Sequence, residues 1–417
     1  MDTSVFKQIK NAGRNRITFQ MTPTRVAYAN TLRRLMTTNV ECVGFCADIK
    51  DTGESSDVQI LANSTPMTNE MLAHRIGLLA IHVPNPLEWD PDQYIFEIDV
   101  VNDSDKSRDV KASDFTVYEV SGETKTIVPT NRFFPQNPIT GDTCLIAILK
   151  EKMPGGKPEE LKIKAKATVG FGKENARFIP TSQAAYSYTI DMDPKRMTET
   201  FNNWVQAQKK IQPESLDTDK EKKATLMREF QTLEMKRCWL KDETGEPYSF
   251  DFTVESVGVL TPEYIVKRAC EAGKLLCAKF AMETLPEDVL VQPGNSRHLS
   301  WDFVIPHQDH TLGHLLQAWL DETKVGNGEI DYVGYDQIHP LKDELLFRIG
   351  VVDEKEETAR KVFREAALAC SAMFELWSKD WNNQTQGTKV ATTATATSAT
   401  SATPGRQLKR AIQRPSK

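Results

Sequence analysis

Three histidines lie close together in the sequence and could form a metal site. His310 and His314 are four residues apart, a spacing that can place two imidazoles on one face of a helix, and His307 precedes them. No glutamate stands between His310 and His314 to act as a general base. A stand-alone metal-dependent hydrolase that uses these three histidines is therefore kept as an alternative function and is not the preferred one.

Two other stretches contain residue types found in catalytic or phosphate-binding sites. The run from Gly170 to Lys173 reads Gly-Phe-Gly-Lys, but it lacks the full spacing of a phosphate-binding loop and indicates a tight turn. His74 and Arg75 lie at the end of a short apolar helix, where a general base is conceivable. A contact with another protein, or with the carbonyl end of the helix, is the better interpretation of this pair. We predict no catalytic residue.

The cysteines also argue against a metal site. The chain has seven, an odd number without any Cys-x-x-Cys pair. This pattern disfavours both a disulfide framework and structural zinc, and it favours reduced, buried thiols. The sequence therefore predicts no metal and no cofactor.

The three histidines belong to the second of two stretches with the same design. Residues 27–49 and residues 303–320 each follow a strand-like segment of alternating apolar residues and a short polar turn, and each continues as a helix-like segment. The chain is therefore interpreted as one strand–turn–helix unit used twice.

The helices of these two units carry start signals and apolar stripes. In the first, Thr22 can cap free N–H groups and Pro23 presets φ at the first helical position. Arg33 and Arg34 lie beside the stripe and give the helix a basic shoulder. In the second, Asp309 can cap the helix. The stripes are Val26, Ala29, Leu32, Leu35 and Met36 in the first unit, and Leu312, Leu315, Leu316 and Trp319 in the second.

At these residues the chain resembles a known family. The first unit resembles the alpha-like motif of the third-largest subunit of eukaryotic RNA polymerase II, of its archaeal D-type counterpart and, more distantly, of the bacterial polymerase alpha protein. The second resembles the eleventh polymerase II subunit and its archaeal L-type counterpart, whose hallmark Asp-His-Thr-Leu-Gly stands at 309–313. Four more stretches match at family spacing: 63–81, 169–182, 252–266 and 333–349.

The resemblance covers most of residues 15–380 and implies a fusion of two subunits that usually pair as separate polypeptides. We associate this arrangement with large cytoplasmic DNA viruses. The chain departs from the family at one point. Several relatives carry a cysteine-rich zinc loop or an iron–sulfur insert after the segment that matches 63–81, whereas Pro84 to Tyr94 contains no cysteine.

Composition shifts and turn signals divide the chain into domains. A charged helical insert within the first domain is interpreted as an elaboration packed on its own body, with a docking helix pair for a partner as the alternative. The predicted parts are a first dimerisation domain at 1–51 plus 193–280 with the charged insert at 195–246, an inserted domain at 52–192, a linker at 281–298, a second dimerisation domain at 299–381 and a disordered basic tail at 382–417.

Two long apolar stripes predict how the halves pair. The helix that begins at Thr261 and Pro262 carries a stripe from Ile265 to Phe280, too long for a surface helix that meets nothing. The helix predicted at 354–381 offers a matching stripe from Val362 to Leu376. We predict an α+β fold in which two alpha-like dimerisation modules pair as an intramolecular pseudo-heterodimer, the first interrupted by a mainly β inserted domain.

Charge and targeting signals restrict the partners. The net charge is −6, and the last 36 residues hold six basic and no acidic residues, so the rest of the chain carries −12. Such a body is a poor general nucleic-acid binder. A freestanding transcription regulator acting through the basic end at 405–417 is a third interpretation. The sequence shows no signal peptide and no apolar run long enough to span a membrane.

The resemblance implies a non-catalytic assembly platform on which the two large catalytic subunits of a DNA-directed RNA polymerase dock. Small zinc-binding polymerase subunits are further candidate partners, and DNA would be reached only through the complex. We expect the chain in the host cytoplasm or nucleus, with packaging in the virion if it is viral. The predicted internal interface is Leu32, Leu35, Leu276, Leu312, Leu316 and Met373, and the predicted partner contacts are Arg33, Arg34, His74 and Arg75.

Overall fold

The computed structural model describes residues 4–48, 57–216, 219–295, 299–325 and 327–397, with side chains described as far as residue 385. In this part of the chain the helices are α1 (Val26–Thr38), α2 (Asn69–Gly77), α3 (Pro194–Trp204), α4 (Lys220–Leu233), α5 (Pro262–Ala278), α6 (His310–Thr323) and α7 (Glu356–Thr397). The strands are β1 (Phe6–Gly13), β2 (Arg16–Met21), β3 (Glu41–Gly44), β4 (Val58–Asn63), β5 (Tyr94–Asn102), β6 (Arg108–Lys111), β7 (Thr116–Ser121), β8 (Thr124–Val128), β9 (Leu145–Leu149), β10 (Glu159–Ala165), β11 (Thr168–Phe171), β12 (Thr181–Tyr188), β13 (Phe250–Ser256), β14 (Leu290–Pro293), β15 (Trp301–Pro306), β16 (Ile330–Asp336) and β17 (Glu344–Val351).

The first dimerisation domain is a four-stranded sheet in the order β1-β2-β13-β12, against which α1 and α5 pack. Every second residue of β2 and β13 is buried, the pattern of strands with one face on a core. Phe19 of β2 stacks on Phe252 of β13 with the ring centroids 5.0 Å apart. The alternation of apolar and polar residues in the sequence thus gives the sheet one apolar face, against which the helices pack.

The start of α1 differs from the prediction. The helix begins at Val26, and the side chain of Arg25 at its N-cap makes no capping hydrogen bond. Thr22 instead donates its backbone N–H to Val5 O at 2.9 Å, which extends the pairing of β1 with β2. Thr22 and Pro23 therefore end the strand, and their prediction as helix-start signals was wrong.

The other two caps follow the sequence pattern. The Thr261 hydroxyl accepts a hydrogen bond from Tyr264 N at 3.3 Å at the start of α5. The Asp309 carboxylate accepts one from Thr311 N at 2.8 Å at the start of α6. Each side chain satisfies an N–H group that the first helical turn leaves without a partner.

The inserted domain has its own core. Its main sheet has the order β4-β10-β5-β7-β8, and a second sheet pairs β6 with β9. In the core of this domain the ring of Phe96 packs edge to face against the rings of Phe115 and Phe133. β3 pairs with β11 and joins this domain to the first one. β12 falls within the range 52–192 predicted for the inserted domain, but it pairs with β13 in the first sheet.

The second half repeats the first. Its sheet has the order β14-β15-β17-β16, and α6 and α7 pack against it. β14 lies inside the range 281–298 predicted as a linker, and Leu285 and Val289 pack against the main core. The described part of this connection, residues 281–295, is therefore packed against the core or paired in the sheet over much of its length, with a short exposed stretch at 282–284.

The charged insert between β12 and β13 packs on itself. Phe201 of α3 meets Phe230 of α4 edge to face, with the ring centroids 5.5 Å apart. Around this pair lies a small hydrophobic cluster that is separate from the two larger cores. Its other buried members are Val205, Leu216 and Leu226.

The last helix is longer than predicted. α7 continues past residue 381 to Thr397, and Gln384 still donates a hydrogen bond to Ser4 Oγ at 3.0 Å. The predicted tail therefore begins inside a helix, and residues 398–417 lie outside the described residues. Within the described chain no helix is both long enough and apolar enough to cross a bilayer.

Candidate subunit interface

Four helices join the two halves through one continuous hydrophobic core, here called the central helix interface: α1, α5, α6 and α7. α5 lies along α7, α1 packs against α5 and α6, and α6 packs against α7. Leu32, Leu35, Leu312 and Leu316 have no exposed surface. Leu276 and Met373 are partly buried against the same core. All six residues predicted for the internal interface thus lie in or against it.

Gly273 of α5 lies where side chains of both α1 and α7 approach the α5 backbone closely. A Cβ atom at this position would be 2.9 Å from Leu35 Cδ1 of α1 and 2.9 Å from Phe374 Cδ1 of α7. These distances are shorter than carbon atoms accept without displacement. Because Gly273 has no side chain, α1 of the first half and α7 of the second half can both contact α5 at the same residue.

Arg34 binds the start of α6 in the other half. Its Nε donates to Thr311 Oγ1 at 2.7 Å, and its Nη2 lies 3.1 Å from Asp309 Oδ2. Burial opposes ionisation of Asp309, but hydrogen bonds from Thr311 and the charge of Arg34 hold the pKa of this carboxyl below its ordinary value. The structure gives Arg34 an internal contact that the sequence interpretation did not foresee, and its contact with another subunit stays a prediction.

A second polar contact crosses the interface at the opposite end of α1. The Tyr28 hydroxyl donates to Glu322 Oε2 of α6 at 3.0 Å, and Arg25 Nε lies 3.3 Å from Glu322 Oε1. Burial and the charge of Glu322 raise the pKa of Tyr28 above its ordinary value, so the hydroxyl stays a donor. α1 is thus held to α6 by polar groups at both ends of an apolar contact.

The carboxyl-terminal helix also binds the first strand of the chain. The Asp380 carboxylate of α7 accepts hydrogen bonds from Val5 N at 2.8 Å and Phe6 N at 3.0 Å. Trp381 Nε1 donates to Glu263 O of α5 at 3.0 Å, and its ring meets Phe6 at 5.1 Å. Sequence reasoning missed Asp380, because no local pattern shows a contact between residues so far apart in the chain.

The Gly-Phe-Gly-Lys run forms the end of β11 and the beginning of the turn that follows it, and both glycines are closely packed. A Cβ at Gly170 would be 2.5 Å from the Phe178 ring, and one at Gly172 would collide with the carbonyl of Thr37. Lys173 Nζ donates to His307 O at 2.6 Å and so reaches the second half. The glycines are needed for close packing, and the lysine is already engaged in a hydrogen bond between the halves.

The three histidines are divided between two environments. His307 Nδ1 lies 2.8 Å from Asp343 Oδ2 at an exposed site. His310 and His314 both lie against the ring of Tyr335, at centroid distances of 5.7 Å and 6.3 Å, and burial lowers the pKa of His314. The described residues contain no group of three or more histidine, cysteine or acidic side chains placed to hold a metal ion.

The remaining predicted partner contacts occupy two separate surfaces. Arg33 donates to Asn30 Oδ1 at 2.9 Å and lines a cleft of about 520 Å³ beside β12. In the inserted domain, Arg75 donates to Ile146 O at 3.0 Å and so ties α2 to β9, while His74 is exposed. Near His74 on the same segment, Met71 and Leu78 are 59% and 75% exposed and form an apolar rim.

Two family models match this chain. A model of the RNA polymerase Rpb3/Rpb11 dimerisation domain matches residues 18–277, which is more than half of the sequence. The chain belongs to the RNA polymerase Rpb3/Rpb11 dimerisation-domain family. A second model with the same description matches residues 300–379, so the Rpb3/Rpb11 dimerisation domain occurs twice. The predicted α+β fold of two paired modules, the first with a long insertion, is confirmed.

Proteins with sequences similar to this Rpb3/Rpb11-type chain are named as polymerase subunits. DNA-directed RNA polymerase II subunit RPB3 of Schizosaccharomyces pombe is 27% identical over 278 residues, which cover 64% of this chain and 82% of that protein. DNA-directed RNA polymerase subunit Rpo3 of Methanopyrus kandleri is 26% identical and covers 63% of this chain and 89% of its own length. The human subunit RPAC1 of RNA polymerases I and III is 24% identical, with 64% and 81% covered.

We expect the substitution Gly273→Leu to destabilise the chain by about 1–3 kcal/mol, because overpacking forces helices or side chains apart. Chemical denaturation followed by circular dichroism measures the change. Leu275→Ala on the exposed side of α5 is the control, since substitutions of exposed residues usually change stability by less than about 0.5 kcal/mol. Equal stability of the Gly273→Leu variant and the wild type would contradict the close approach of α1 and α7.

We also expect the two halves to stay associated after the connection is cut. A protease recognition sequence inserted between Glu283 and Thr284 lies in the exposed stretch. The covalent link supplies effective concentration, of roughly millimolar order for short linkers, whereas the apolar interface supplies the affinity. The cut fragments should co-elute in size-exclusion chromatography at about micromolar concentration. At that concentration, two halves that depended on the roughly millimolar effective concentration of the linker would dissociate.

The matched control for the cutting experiment replaces both Leu312 and Leu316 by Asp. These residues have no exposed surface, so the change buries unpaired charge in the interface and should separate the cut fragments. Separation of the wild-type fragments under the same conditions would show that the connection, and not the interface, holds the halves together.

Proposed function

We propose that this chain is a non-catalytic subunit of a DNA-directed RNA polymerase, an assembly platform on which the two large catalytic subunits dock. One observation carries the proposal: two Rpb3/Rpb11 dimerisation domains lie in one chain and pack through a single core. The similar proteins are named as polymerase subunits, which supports the same class of complex for this chain.

In this proposal the chain is a fusion that does the work of two subunits. The tandem matches at 18–277 and 300–379 support a fixed one-to-one ratio of the two modules. An origin in a large DNA virus, action in the host cytoplasm or nucleus, and packaging in the virion belong to the same proposal and rest on the sequence resemblance alone.

The outward contacts of the platform are proposed at Arg33, Arg34, His74 and Arg75, although Arg34 also has an internal contact with Asp309 and Thr311. Arg33 lines the cleft beside β12, and His74 lies near the exposed apolar side chains of Met71 and Leu78. Exposed apolar patches with polar neighbours are typical of protein contact sites. Small zinc-binding polymerase subunits are further proposed partners. DNA is reached only through the complex, because residues 1–381 carry a net charge of −12.

The metal-dependent hydrolase has no support in the described residues. His307 lies against Asp343, whereas His310 and His314 lie against Tyr335, and no metal-binding group is formed there. The interpretation as a freestanding transcription regulator depends on residues 405–417, which lie outside the described residues.

Purification of the tagged chain from its native source, followed by mass spectrometry, tests the proposal. We expect two large catalytic polymerase subunits to co-purify in a ratio of one to one with the chain, and transcription activity to elute with them. Recovery of the chain alone, or with proteins unrelated to transcription, would refute the proposal.

A single charge reversal should separate assembly from folding. We expect Arg33→Glu to reduce recovery of the large subunits at least about tenfold, because an unfavourable charge at a protein interface can cost several kcal/mol. Its melting temperature should equal that of the wild type, because the hydrogen bond of Arg33 to Asn30 is local.

The matched control is Arg34→Glu. This substitution places a carboxylate beside Asp309 and removes the hydrogen bond to Thr311, so it should lower the melting temperature. Undiminished assembly by Arg33→Glu would rule out Arg33 as a docking residue.

A further inference from the structure

β12 is an unprotected edge of the first sheet. Its sequence, Thr-Ser-Gln-Ala-Ala-Tyr-Ser-Tyr, contains neither charged residues nor proline. Natural proteins usually protect such edges with lysine, proline or irregular pairing, because an uncovered edge is a template for another strand. The opposite edge of the same sheet, β1, carries Lys7 and Lys10, and its register shifts twice. β12 has one register shift, between Thr181 and Gln183, and residues 184–188 pair regularly with β13. β12 therefore has the character of an edge that is covered in the assembled state.

The backbone of β12 offers a ready row of hydrogen-bonding groups. Thr189 donates its N–H inward to Ser249 O at 3.0 Å, and inward and outward groups alternate along a strand. The N–H and C=O groups of Ala184, Tyr186 and Tyr188 consequently point away from β13. In the described part of the chain no other strand pairs with this side of β12.

A cleft lies along this outer edge. It has a volume of about 520 Å³ and is lined by residues 184–188 of β12 and by Asn30 and Arg33 of α1. The Arg33 side chain donates to Asn30, and no ion pair joins it to a carboxylate of the described residues. One wall of the cleft therefore presents backbone groups, and the other presents a cation that no described carboxylate pairs with.

The second half shows how the same place is filled by the chain itself. β16 occupies the position in its sheet that β12 occupies in the first sheet. The helices are equivalent as well: Thr-Leu is followed by Arg33 in α1 and by Gly313 in α6. A Cβ at Gly313 would be 2.5 Å from the Tyr335 ring of β16. β16 also carries Asp331 and Asp336 and a register shift. β12 shares the register shift but has no charged residue, and the position of Gly313 is taken in the first half by Arg33, which lines an open cleft.

We propose that an extended segment of a partner polypeptide pairs with the outer edge of β12 at residues 184–188 and places a carboxylate against Arg33. Main-chain hydrogen bonds supply the affinity, and the charged hydrogen bond to the guanidinium supplies the register. This inference rests on the proposed function, which makes the partner another subunit of the polymerase.

Charge excludes the other occupants of the cleft. A second copy of the chain pairing through its own β12 would bring Arg33 close to the Arg33 of that copy and would supply no acidic residue from Thr181–Tyr188. A nucleic acid would require a row of basic side chains, whereas the cleft has one and residues 1–381 are strongly acidic. A partner segment with an acidic side chain meets both requirements of the cleft.

The substitution Ala184→Pro tests the pairing. Proline removes the outward N–H of residue 184 and puts its ring in the cleft, but leaves the inward groups of Ala185 to pair with β13. We expect an unchanged melting temperature and an at least about tenfold lower recovery of the large subunits from the native source. Gln183→Ala is the matched control, because it changes an exposed residue of the same strand outside residues 184–188 and keeps every N–H, and it should assemble as the wild type does.

Backbone hydrogen exchange of the wild type gives a second measurement that does not depend on any variant. Exchange at the outward N–H groups of Ala184, Tyr186 and Tyr188 should be at least about tenfold slower in the purified complex than in the free chain. Normal assembly by Ala184→Pro together with equal exchange in the two states would overturn the inference and leave the proposed function intact. If the wild type recovers no large subunit, the proposed function fails and this inference fails with it.

Two further outcomes would also overturn the inference. Slower exchange at 184–188 in the free chain at raised concentration, with a doubled mass, would identify a second copy as the occupant. Slower exchange only after addition of duplex DNA would identify a nucleic acid. If Ala184→Pro fails to fold, the exchange comparison on the wild type decides alone.

Discussion

Two long helices, α5 and α7, each carry an apolar face that neither half of the chain can cover alone. Burial of such faces is the dominant favourable contribution to folding, and it requires an apolar surface to pack against. The two helices supply each other's partner across the halves. The sheets, the connection and the position of α1 and α6 follow from this pairing, because each module brings one of the two helices against its own sheet.

Polar contacts at the rim of this interface set how the helices align. Apolar contact is non-directional, so by itself it would allow the helices to slide along each other. Hydrogen bonds prevent this sliding, because they require fixed distances and angles. Arg34 at the start of α6 and Tyr28 at its far end fix α1 against α6 at two points. Asp380 fixes the end of α7 against the first strand. Each bond adds about 0.5–3 kcal/mol, a modest part of the stability of the interface and a large part of its specificity.

The features that were predictable from the sequence are local ones. Helical stripes and the caps at Thr261 and Asp309 depend on residues within one or two turns, so they appear in the pattern. Thr22 carries the same type of signal, but its N–H is taken by Val5 on the neighbouring strand. Arg34 was placed correctly beside the apolar stripe, yet its partner depends on the crossing of α1 over α6. The cleft beside β12 is lined by two segments distant in sequence, α1 and β12, and gives no local signal at all.

Joining the modules in one chain has a consequence beyond stoichiometry. A homodimer presents two identical outer faces related by a twofold axis, whereas this chain presents two related faces that differ in detail. At one pseudo-equivalent position Tyr335 covers Gly313, and at the other Arg33 borders an open cleft. A protein that binds this chain can therefore distinguish its two sides without any change in the central helix interface. The covalent link makes that difference permanent, because a module cannot exchange its partner for a second copy of itself.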